Sequence, residues 1–259
     1  MSAGTDSDRD WILPDWKAPA SVQAISTTRS GGVSLAPYDD GSGAGGMNLG
    51  LHVGDRPEHV LQNRAVLQGH LAGPPTWLEQ VHGAEVVMAS RGIPSTVPRA
   101  DASIAVGPGA VCAIQTADCL PVLLCDSRGT VVGAAHGGWR GLAAGVLGNT
   151  VEALRKQGAE DILAWLGPAI GPSRFEVGEE VALAFVEMAA SLHSAFVPAP
   201  GKPGKFLADI YLLARLQLAM LGIDRVSGGG FCTVNDSRRF YSYRRDGVTG
   251  RMASLVWLR

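Results

Sequence analysis

The stretch QTADCLPVLLCDSRGTVVGAAHGGWRG, residues 115–141, contains two apolar segments joined by a short polar turn. Residues 120–126 and 129–136 are rich in leucine, valine and alanine, and the tripeptide SRG between them is typical of a turn. The pattern therefore predicts a buried hairpin. Cys119 and His136 stand at its ends, seventeen residues apart. They fit three descriptions, namely inert core residues, a Cys–His nucleophile pair, or two ligands of a metal ion.

Around this hairpin, the chain predicts an α+β fold. Strand patterns at 22–28, 100–106, 110–117 and 161–167, and two more within 77–90 around Gly83, are mixed with helical patterns. Because strict βαβ alternation is absent, we expect a single layered domain of mixed β-sheets packed with helices. We predict that residues 22–259 form this domain and that residues 1–21, which contain two prolines, form an N-terminal arm on its surface.

Three local signals predict where helices and turns begin. Asp55, followed three residues later by Glu58, is a capping-box pattern for a first helix. Asp209 stands near the start of a later helix, which is amphipathic rather than membrane-spanning because charged and polar residues interrupt it. The dipeptide Asp246-Gly247 is typical of a hairpin turn.

Composition excludes several classes of protein. The 259 residues carry a net charge of −2, from 22 basic and 24 acidic side chains, without the basic stripe that nucleic-acid binding requires. Four scattered cysteines are not a disulfide framework and favour a reducing compartment. The polar N-terminus lacks the features of a secretory signal. We therefore expect a cytoplasmic protein without nucleic-acid or membrane partners. No oligomeric state follows from the sequence.

Three residues of soft or borderline ligand chemistry each end an apolar run. They are His82 in QVHGAE, Cys119 in TADCLP and His136 in AAHGGWRG. Two imidazoles and one thiolate suit zinc or copper, and three protein ligands leave one position open, as in catalytic zinc sites. Asp118 interrupts the apolar run beside Cys119, and a buried carboxylate needs a partner, so we include it among the candidate site residues. The other three cysteines fit the role of small core residues.

Several arginines stand in or near loops rich in small residues. The candidates are Arg29, Arg64, Arg140 and Arg244. A guanidinium group matches phosphate or carboxylate geometry, and Arg140 begins a helix, whose N-terminus favours anions. Surface exposure or an ordinary ion pair is the alternative for each of them.

Eight motifs taken together resemble a known family. TTRSGGVS, MNLGLHVGD, the Asn63-Arg64 pair, EQVHG, TADCLPVLL, AAHGGWRG, IGP and FYSYRRDGVTGR stand in the order seen in the bacterial laccase-domain proteins. These were first called multicopper polyphenol oxidoreductases and are now described as purine nucleoside phosphorylases or peptidoglycan editing factors. The similarity extends from about Val22 to Leu258. Gly137, where the family more often has alanine, and the glycine-rich loop 41–46 depart from its pattern.

The resemblance implies a cytoplasmic metalloenzyme whose zinc, or copper as the alternative, is held by His82, Cys119 and His136. It implies phosphorolysis of adenosine, inosine, guanosine and methylthioadenosine, together with adenosine deamination. Phosphate would be bound among the candidate arginines, and Asp118 would act as proton donor or as a partner of the ligands. The family's fold resembles the catalytic domain of the cytotoxic necrotizing toxins, which are deamidases.

Two other functions stay open at this point. In a Cys–His hydrolase, such as an amidase acting on a muropeptide precursor, Cys119 would be the nucleophile and His136 its base. Such a pair does not need His82, whereas a metal site does. A non-enzymatic metal- or nucleotide-binding factor is the second alternative. A true multicopper oxidase is the weakest hypothesis, because six histidines are too few for several copper centres.

Overall fold

A computed structural model describes residues 10–259 of the chain. The strands are β1 Val22–Ser26, β2 Ser30–Ser34, β3 Pro75–Thr76, β4 Val86–Met88, β5 Ala102–Val106, β6 Val111–Thr116, β7 Leu120–Asp126, β8 Val131–Gly137, β9 Ile162–Leu166, β10 Glu176–Gly178, β11 Phe196–Pro198, β12 Lys205–Ala208, β13 Val226–Gly228 and β14 Met252–Leu258. The helices are α1 Pro57–Gln68, α2 Trp139–Ala143, α3 Val146–Lys156, α4 Glu179–Met188, α5 Ile210–Met220 and α6 Tyr243–Asp246, with a 3-10 helix at Ala190–Ala195.

The predicted hairpin is confirmed as β7 and β8, which pair antiparallel at the centre of a six-stranded sheet. Its turn is closed by the Asp126 carboxylate, which accepts hydrogen bonds from the backbone N–H groups of Thr130 and Val131 at 2.7 and 3.0 Å. The strand order is β13-β9-β7-β8-β5-β4, with parallel pairs at both edges and antiparallel pairs in the middle. The sheet is therefore mixed, as expected.

A second sheet of four strands, in the order β1-β14-β6-β3, packs against the first. Side chains alternate along β7, so that Leu123 faces this second sheet while Val122 and Leu124 face the helices α3 and α5. The chain passes from β6 in one sheet to β7 in the other through Ala117, Asp118 and Cys119. A side chain on this connection consequently lies at the junction of the two sheets.

The prediction of an α+β fold with mixed sheets and packed helices is confirmed. A third, small sheet of order β10-β12-β11 packs with α4 on the helical side of the molecule. Within residues 10–259, no helix is both long and apolar enough to cross a membrane.

Two sequence predictions of local structure are wrong, for reasons of tertiary contact. The 77–90 segment forms only the short strand β4, because the backbone N–H groups of residues 81–83 bond to the carboxylate of Asp101 instead of a neighbouring strand. Residues 243–246 form helix α6 rather than a hairpin. Ser242 caps this helix by accepting from the N–H of Arg245, and Gly247 follows at a φ of 68°.

The two predicted caps have different outcomes. Asp209 is confirmed as the N-cap of α5, because its side chain accepts from the N–H of Leu212 at 2.9 Å. Asp55 does not cap α1, whose N-cap position is Arg56 without a side-chain bond. The Asp55 carboxylate instead accepts hydrogen bonds from Ser34 Oγ and Asn48 Nδ2, at 2.6 and 2.9 Å.

The predicted N-terminal arm falls partly outside the described residues, which exclude residues 1–9. From residue 10 onward, this arm lies against the second sheet. Ile12 and Ser26 exchange two backbone hydrogen bonds of 2.8 Å, and the side chains of Ile12 and Trp16 pack on the core between the sheets.

Candidate metal centre

The three predicted ligands meet at the junction of the two sheets. One ligand atom from each of His82, Cys119 and His136 lies within 4.8 Å of the others. The hairpin register pairs Leu120 with Gly137, which brings Cys119 beside His136. His82 arrives from the loop before β4, and its Nε2 is 3.7 Å from the Cys119 sulfur.

A buried aspartate that the sequence analysis missed holds both histidines. Asp101, which is fully buried, has Oδ1 2.8 Å from Nδ1 of His136, and the same oxygen accepts from the backbone N–H of His82 at 2.9 Å. Its other oxygen accepts from the N–H groups of Val81 and Gly83 at 3.1 and 2.7 Å. The proton between Asp101 and His136 therefore lies on Nδ1, which leaves Nε2 as the ligand atom.

These contacts also explain the backbone at His82, whose φ is 60°. A non-glycine residue in this left-handed region costs free energy and persists only where its surroundings enforce it. The three hydrogen bonds from residues 81–83 to Asp101 enforce it here. The signal in the sequence was an aspartate directly before an apolar strand, at the start of ASIAV.

The electrostatics of the cluster favour a thiolate. Burial alone would raise the pKa of Cys119, but His136 and His82 outweigh it and lower that pKa to about 6. Burial alone would lower the pKa of His136, yet the Cys119 thiolate and Asp101 raise it to about 9. Without a metal ion, the two side chains therefore form a thiolate–imidazolium pair at neutral pH.

The residues present fit a zinc or copper ion. The cluster provides two imidazole nitrogens and a thiolate, which these ions prefer. Gly138 forms one wall, and a Cβ atom there would lie 2.7 Å from the ring of His82 and 3.3 Å from the Cys119 sulfur. The absence of a side chain at Gly138 thus keeps room for the ligand atoms.

Asp118 lies beside the cluster but faces away from its histidines. Its φ is 92°, a second non-glycine residue in the left-handed region. Its Oδ1 accepts from Thr233 Oγ1 and its Oδ2 from the backbone N–H of Arg244, both at 2.6 Å. With both oxygens accepting, Asp118 ties the turn before Cys119 to the C-terminal part of the chain.

Two recesses open onto the cluster and share His82, Ala117, Cys119 and Tyr243. The smaller, about 200 Å³, is the apolar recess, whose walls include Trp139, Ile170, Phe175 and Ile210. The larger, about 420 Å³, is the polar recess, whose walls include His52, Gln80, Gln115 and Arg251. Tyr243 is 62% exposed and stands at the boundary between the two recesses.

Two of the four candidate arginines lie at the apolar recess. Arg140 is exposed, and its guanidinium carbon is 4.3 Å from the centre of the Trp139 ring. Arg244 donates from Nη1 to the carbonyl of Glu176 at 3.0 Å.

The other two arginines have different positions. Arg64 stacks on Trp77 at 4.1 Å and lines a further recess that adjoins the polar one. Arg29 is not brought to the cluster. It is only 7% exposed, donates to the carbonyls of Asp39 and Ser237, and lines a separate recess of about 620 Å³.

Arg251 is a second residue at the cluster, after Asp101, that the sequence analysis missed. It stands at the end of the motif FYSYRRDGVTGR and lines the polar recess together with Cys119 and His136. Its place in the motif was the available signal, but Arg244 in the same motif was chosen as the phosphate candidate instead.

The fold and the cluster agree with one family of proteins. Residues 23–259 match the family model described as multi-copper polyphenol oxidoreductase laccase, and the chain belongs to this family. The suspected resemblance to the laccase-domain proteins is therefore confirmed. Within residues 10–259, however, His, Cys, Asp and Glu side chains form one group suited to a metal ion, which does not match several copper centres.

Individual relatives are similar over almost the whole chain. A Pseudomonas aeruginosa protein named purine nucleoside phosphorylase is 58% identical over 248 residues, covering 96% of this chain and 98% of its own. An Escherichia coli protein with the name purine nucleoside phosphorylase YfiH is 53% identical, covering 95% and 98%. The crystal structure of a Neisseria meningitidis protein aligns with a TM-score of 0.89 at 47% identity, covering 96% of this chain and 99% of that chain.

Proposed function

We propose that this chain is a zinc-dependent purine nucleoside phosphorylase that acts on adenosine, inosine, guanosine and methylthioadenosine, with adenosine deamination as a side activity. One observation carries the proposal: the His82–Cys119–His136 cluster opens onto an apolar and a polar recess at once. The names of the relatives from Pseudomonas and Escherichia support the reaction class. The proposal places this activity in a single domain, residues 22–259, of a cytoplasmic protein, which the four free cysteines favour.

In phosphorolysis, a phosphate oxygen forms a bond to C1′ of the sugar while the bond from C1′ to N9 of the purine breaks. The electron pair of the broken bond goes to the purine, and the proton that hydrogen phosphate loses ends on the released base. The products are the free base and ribose 1-phosphate or, from methylthioadenosine, 5-methylthioribose 1-phosphate. Deamination differs, because water adds at C6 of adenosine and ammonia leaves, giving inosine.

The chain's own residues would divide this work between them. The apolar recess, with Trp139 and Phe175 in its walls, suits the flat face of a purine. His82, Cys119 and His136 would hold the ion, which when bound supplies positive charge at the reacting centre and acidifies water. Asp101 would keep both histidines in place. Asp118, our candidate proton donor from the sequence, is better suited to a positioning role because both its oxygens accept hydrogen bonds.

A second function, that of a Cys–His hydrolase, is favoured by a specific observation. The Cys119 thiolate, His136 and Asp101 form a Cys–His–Asp series of the kind found in thiol amidases. The thiolate would attack an amide carbonyl, the amine would leave with a proton from His136, and water would then hydrolyse the thioester. The expected similarity to the toxin deamidases would fit this alternative. Phosphorolysis is preferred because the hydrolase reaction has no need of His82.

One assay separates the candidates. Purified protein is analysed for metal, then incubated with each of the four nucleosides with and without phosphate. We expect one zinc per chain, free base and the corresponding sugar 1-phosphate only when phosphate is present, and inosine from adenosine in both conditions. A zinc-containing protein that converts no nucleoside would instead support the metal-binding factor. Amide hydrolysis that survives loss of zinc and His82→Ala would support the hydrolase.

A further inference from the structure

The described walls of the polar recess include the Arg251 guanidinium and His52 but no carboxylate. The negative charges that act on Arg251 are those of the Cys119 thiolate, which also lines the recess, and of Asp118. Arg64 lines the adjoining recess together with Glu79, and the two recesses share His52, Gln80 and Gln115. Among residues 10–259, no Asp or Glu side chain lines the polar recess, and neither Arg64 nor Arg251 takes part in an ion pair. Burial lowers the pKa of Arg64 to about 10 and that of Arg251 as well, yet both stay protonated at neutral pH.

Each of these guanidinium groups is anchored on one side only. Arg251 donates from Nη1 to the carbonyls of Thr249 and Gly250, at 3.1 and 3.0 Å, and its Nε and Nη2 have no acceptor within the described chain. Arg64 donates from Nε and Nη2 to the carbonyl of Leu49, at 3.0 and 2.8 Å, and its Nη1 likewise has none. The side chains are therefore held in place while some of their N–H groups remain free for a ligand.

His52 is close enough to respond to both charges. Burial, then the positive charge of Arg251, then that of Arg64, hold its pKa below the ordinary value. The lowered pKa of His52 therefore reports the positive potential of the two guanidinium groups in this region. That potential favours a negatively charged ligand.

The wall between the charges is rigid. Gln80 and Gln115 are joined by two reciprocal bonds of 2.8 Å, from Gln80 Nε2 to the Gln115 carbonyl and from the Gln115 N–H to Gln80 Oε1. Gln115 Nε2 donates further to the carbonyl of Leu49, the same carbonyl that anchors Arg64. A ligand in the recess thus meets positions set before it binds, which reduces the entropy cost of binding.

We propose that the polar recess is the phosphate subsite, in which Arg251, supported by Arg64 and His52, holds inorganic phosphate beside the His82–Cys119–His136 cluster. This inference rests on the proposed phosphorylase function and deepens it. Free N–H groups of a guanidinium match the oxygens of a phosphate dianion. With the base in the apolar recess and phosphate in the polar one, the sugar would lie between them at Tyr243, where the two recesses meet.

The test compares Arg251→Gln and Arg64→Gln with the control Arg238→Gln, an exposed arginine on the separate recess of Arg29. Inorganic phosphate is titrated into the zinc-loaded proteins by calorimetry without nucleoside. We expect the phosphate Kd to rise about 10- to 100-fold in Arg251→Gln, as for loss of a charge-assisted pair, less in Arg64→Gln, and not at all in the control. A phosphate Kd unchanged in both recess variants would overturn the proposal.

Steady-state kinetics separate the subsite from the function. In Arg251→Gln, the KM for phosphate should rise with little change in the KM for inosine, and adenosine deamination should continue because it uses water. If the chain proves to have no phosphorolysis, weakened phosphate binding in Arg251→Gln still supports the subsite. If phosphorolysis is intact and only Arg140→Gln or Arg244→Gln raises the phosphate KM, the subsite proposal is wrong while the function stands. Thermal melting identifies any variant that fails to fold, in which case Arg64→Gln carries the test.

Discussion

Two arginine-lined recesses of this protein look alike in sequence and differ in what their arginines contact. The Arg29 recess and the polar recess at the cluster each have in their walls an arginine from a glycine-containing motif, TTRSGG and GVTGR, and have volumes of about 620 and 420 Å³. In the first, the Arg29 guanidinium donates to the carbonyls of Asp39 and Ser237. In the second, Arg251 donates to carbonyls from Nη1 alone.

The two recesses also differ in the carboxylates that line them. Asp40 and Asp246 line the Arg29 recess, and Arg245 forms an ion pair with Asp246 at 2.7 Å. The polar recess has no carboxylate among its described walls but adjoins a thiolate and two imidazoles. The size of a cavity and its arginine content therefore do not identify an anion site. What matters is whether the guanidinium N–H groups are already used.

The largest expected effect is at the cluster itself. We predict that His136→Ala removes zinc and lowers kcat/KM by roughly 10³-fold or more, because loss of the ion removes several kcal/mol of transition-state stabilisation. Metal content and activity should fall together. His193→Ala, in the exposed part of the 3-10 helix, is the control and should leave both unchanged. Full zinc retention in both His82→Ala and His136→Ala would contradict the metal assignment.

Arg29→Gln should affect folding rather than catalysis. Its buried guanidinium bonds to two loop carbonyls and lies 4.9 Å from the centre of the Tyr241 ring. Removing this buried cation leaves two partly buried carbonyls without their donor, so we expect the free energy of unfolding to drop by about 3 kcal/mol. Urea denaturation measures this loss. An Arg29→Gln protein of normal stability with a raised phosphate KM would mean that the Arg29 recess, and not the polar recess, binds phosphate.

Asp101→Asn tests whether the Asp101 carboxylate orients the histidines of the cluster. Replacing a carboxylate that orients a ligand histidine typically costs about 10- to 100-fold in metal affinity or activity. The matched control is Asp126→Asn. Asp126 is about as buried as Asp101, and its carboxylate accepts backbone N–H groups at the turn of the β7–β8 hairpin, the end opposite to His136. It should lower stability without changing the zinc Kd, which a competing chelator measures. Equal zinc affinity in both variants would mean that Asp101 supports only the fold.

The smallest expected effect concerns the reactivity of Cys119. With the metal removed, the pKa of about 6 keeps Cys119 mostly as thiolate at pH 7. A thiolate of low pKa is a weaker nucleophile, which offsets part of the rate gained from the larger thiolate fraction. Iodoacetamide should therefore react with Cys119 roughly threefold faster than with an ordinary thiol. The rate should fall as the pH drops through about 6. Bound zinc should slow the reaction.

Cys112 and Cys125 serve as internal controls for this measurement. Burial, the largest cause for each, raises the pKa of both thiols to about 12, so they should stay unmodified until the protein unfolds. Mass spectrometry of peptides locates the label. Rapid labelling of Cys119 at full zinc occupancy would favour the nucleophile over the ligand.

Periodicity was sufficient to predict the hairpin at the centre of the fold. Residues 120–126 and 131–137 are buried along their whole lengths, and a continuous apolar run of that length between turns is typical of such a strand. The same reasoning failed at 77–90, where no local pattern reveals that residues 81–83 bond to a carboxylate about twenty residues further along. It failed again at Asp55, which is drawn to Ser34 and Asn48 by tertiary contacts.

The sequence by itself determined the family, the mixed α+β fold and the identity of three ligand candidates, because strand patterns and ligand chemistry are local properties of the chain. Only the tertiary structure decided that Asp101 fastens two of those ligands, and that Arg251 rather than Arg29 stands beside them. Whether a guanidinium or a carboxylate is free to act depends on which distant carbonyls and N–H groups the fold brings within about 3 Å of it. Those partners come from strand register and loop path, which no single stretch of sequence specifies.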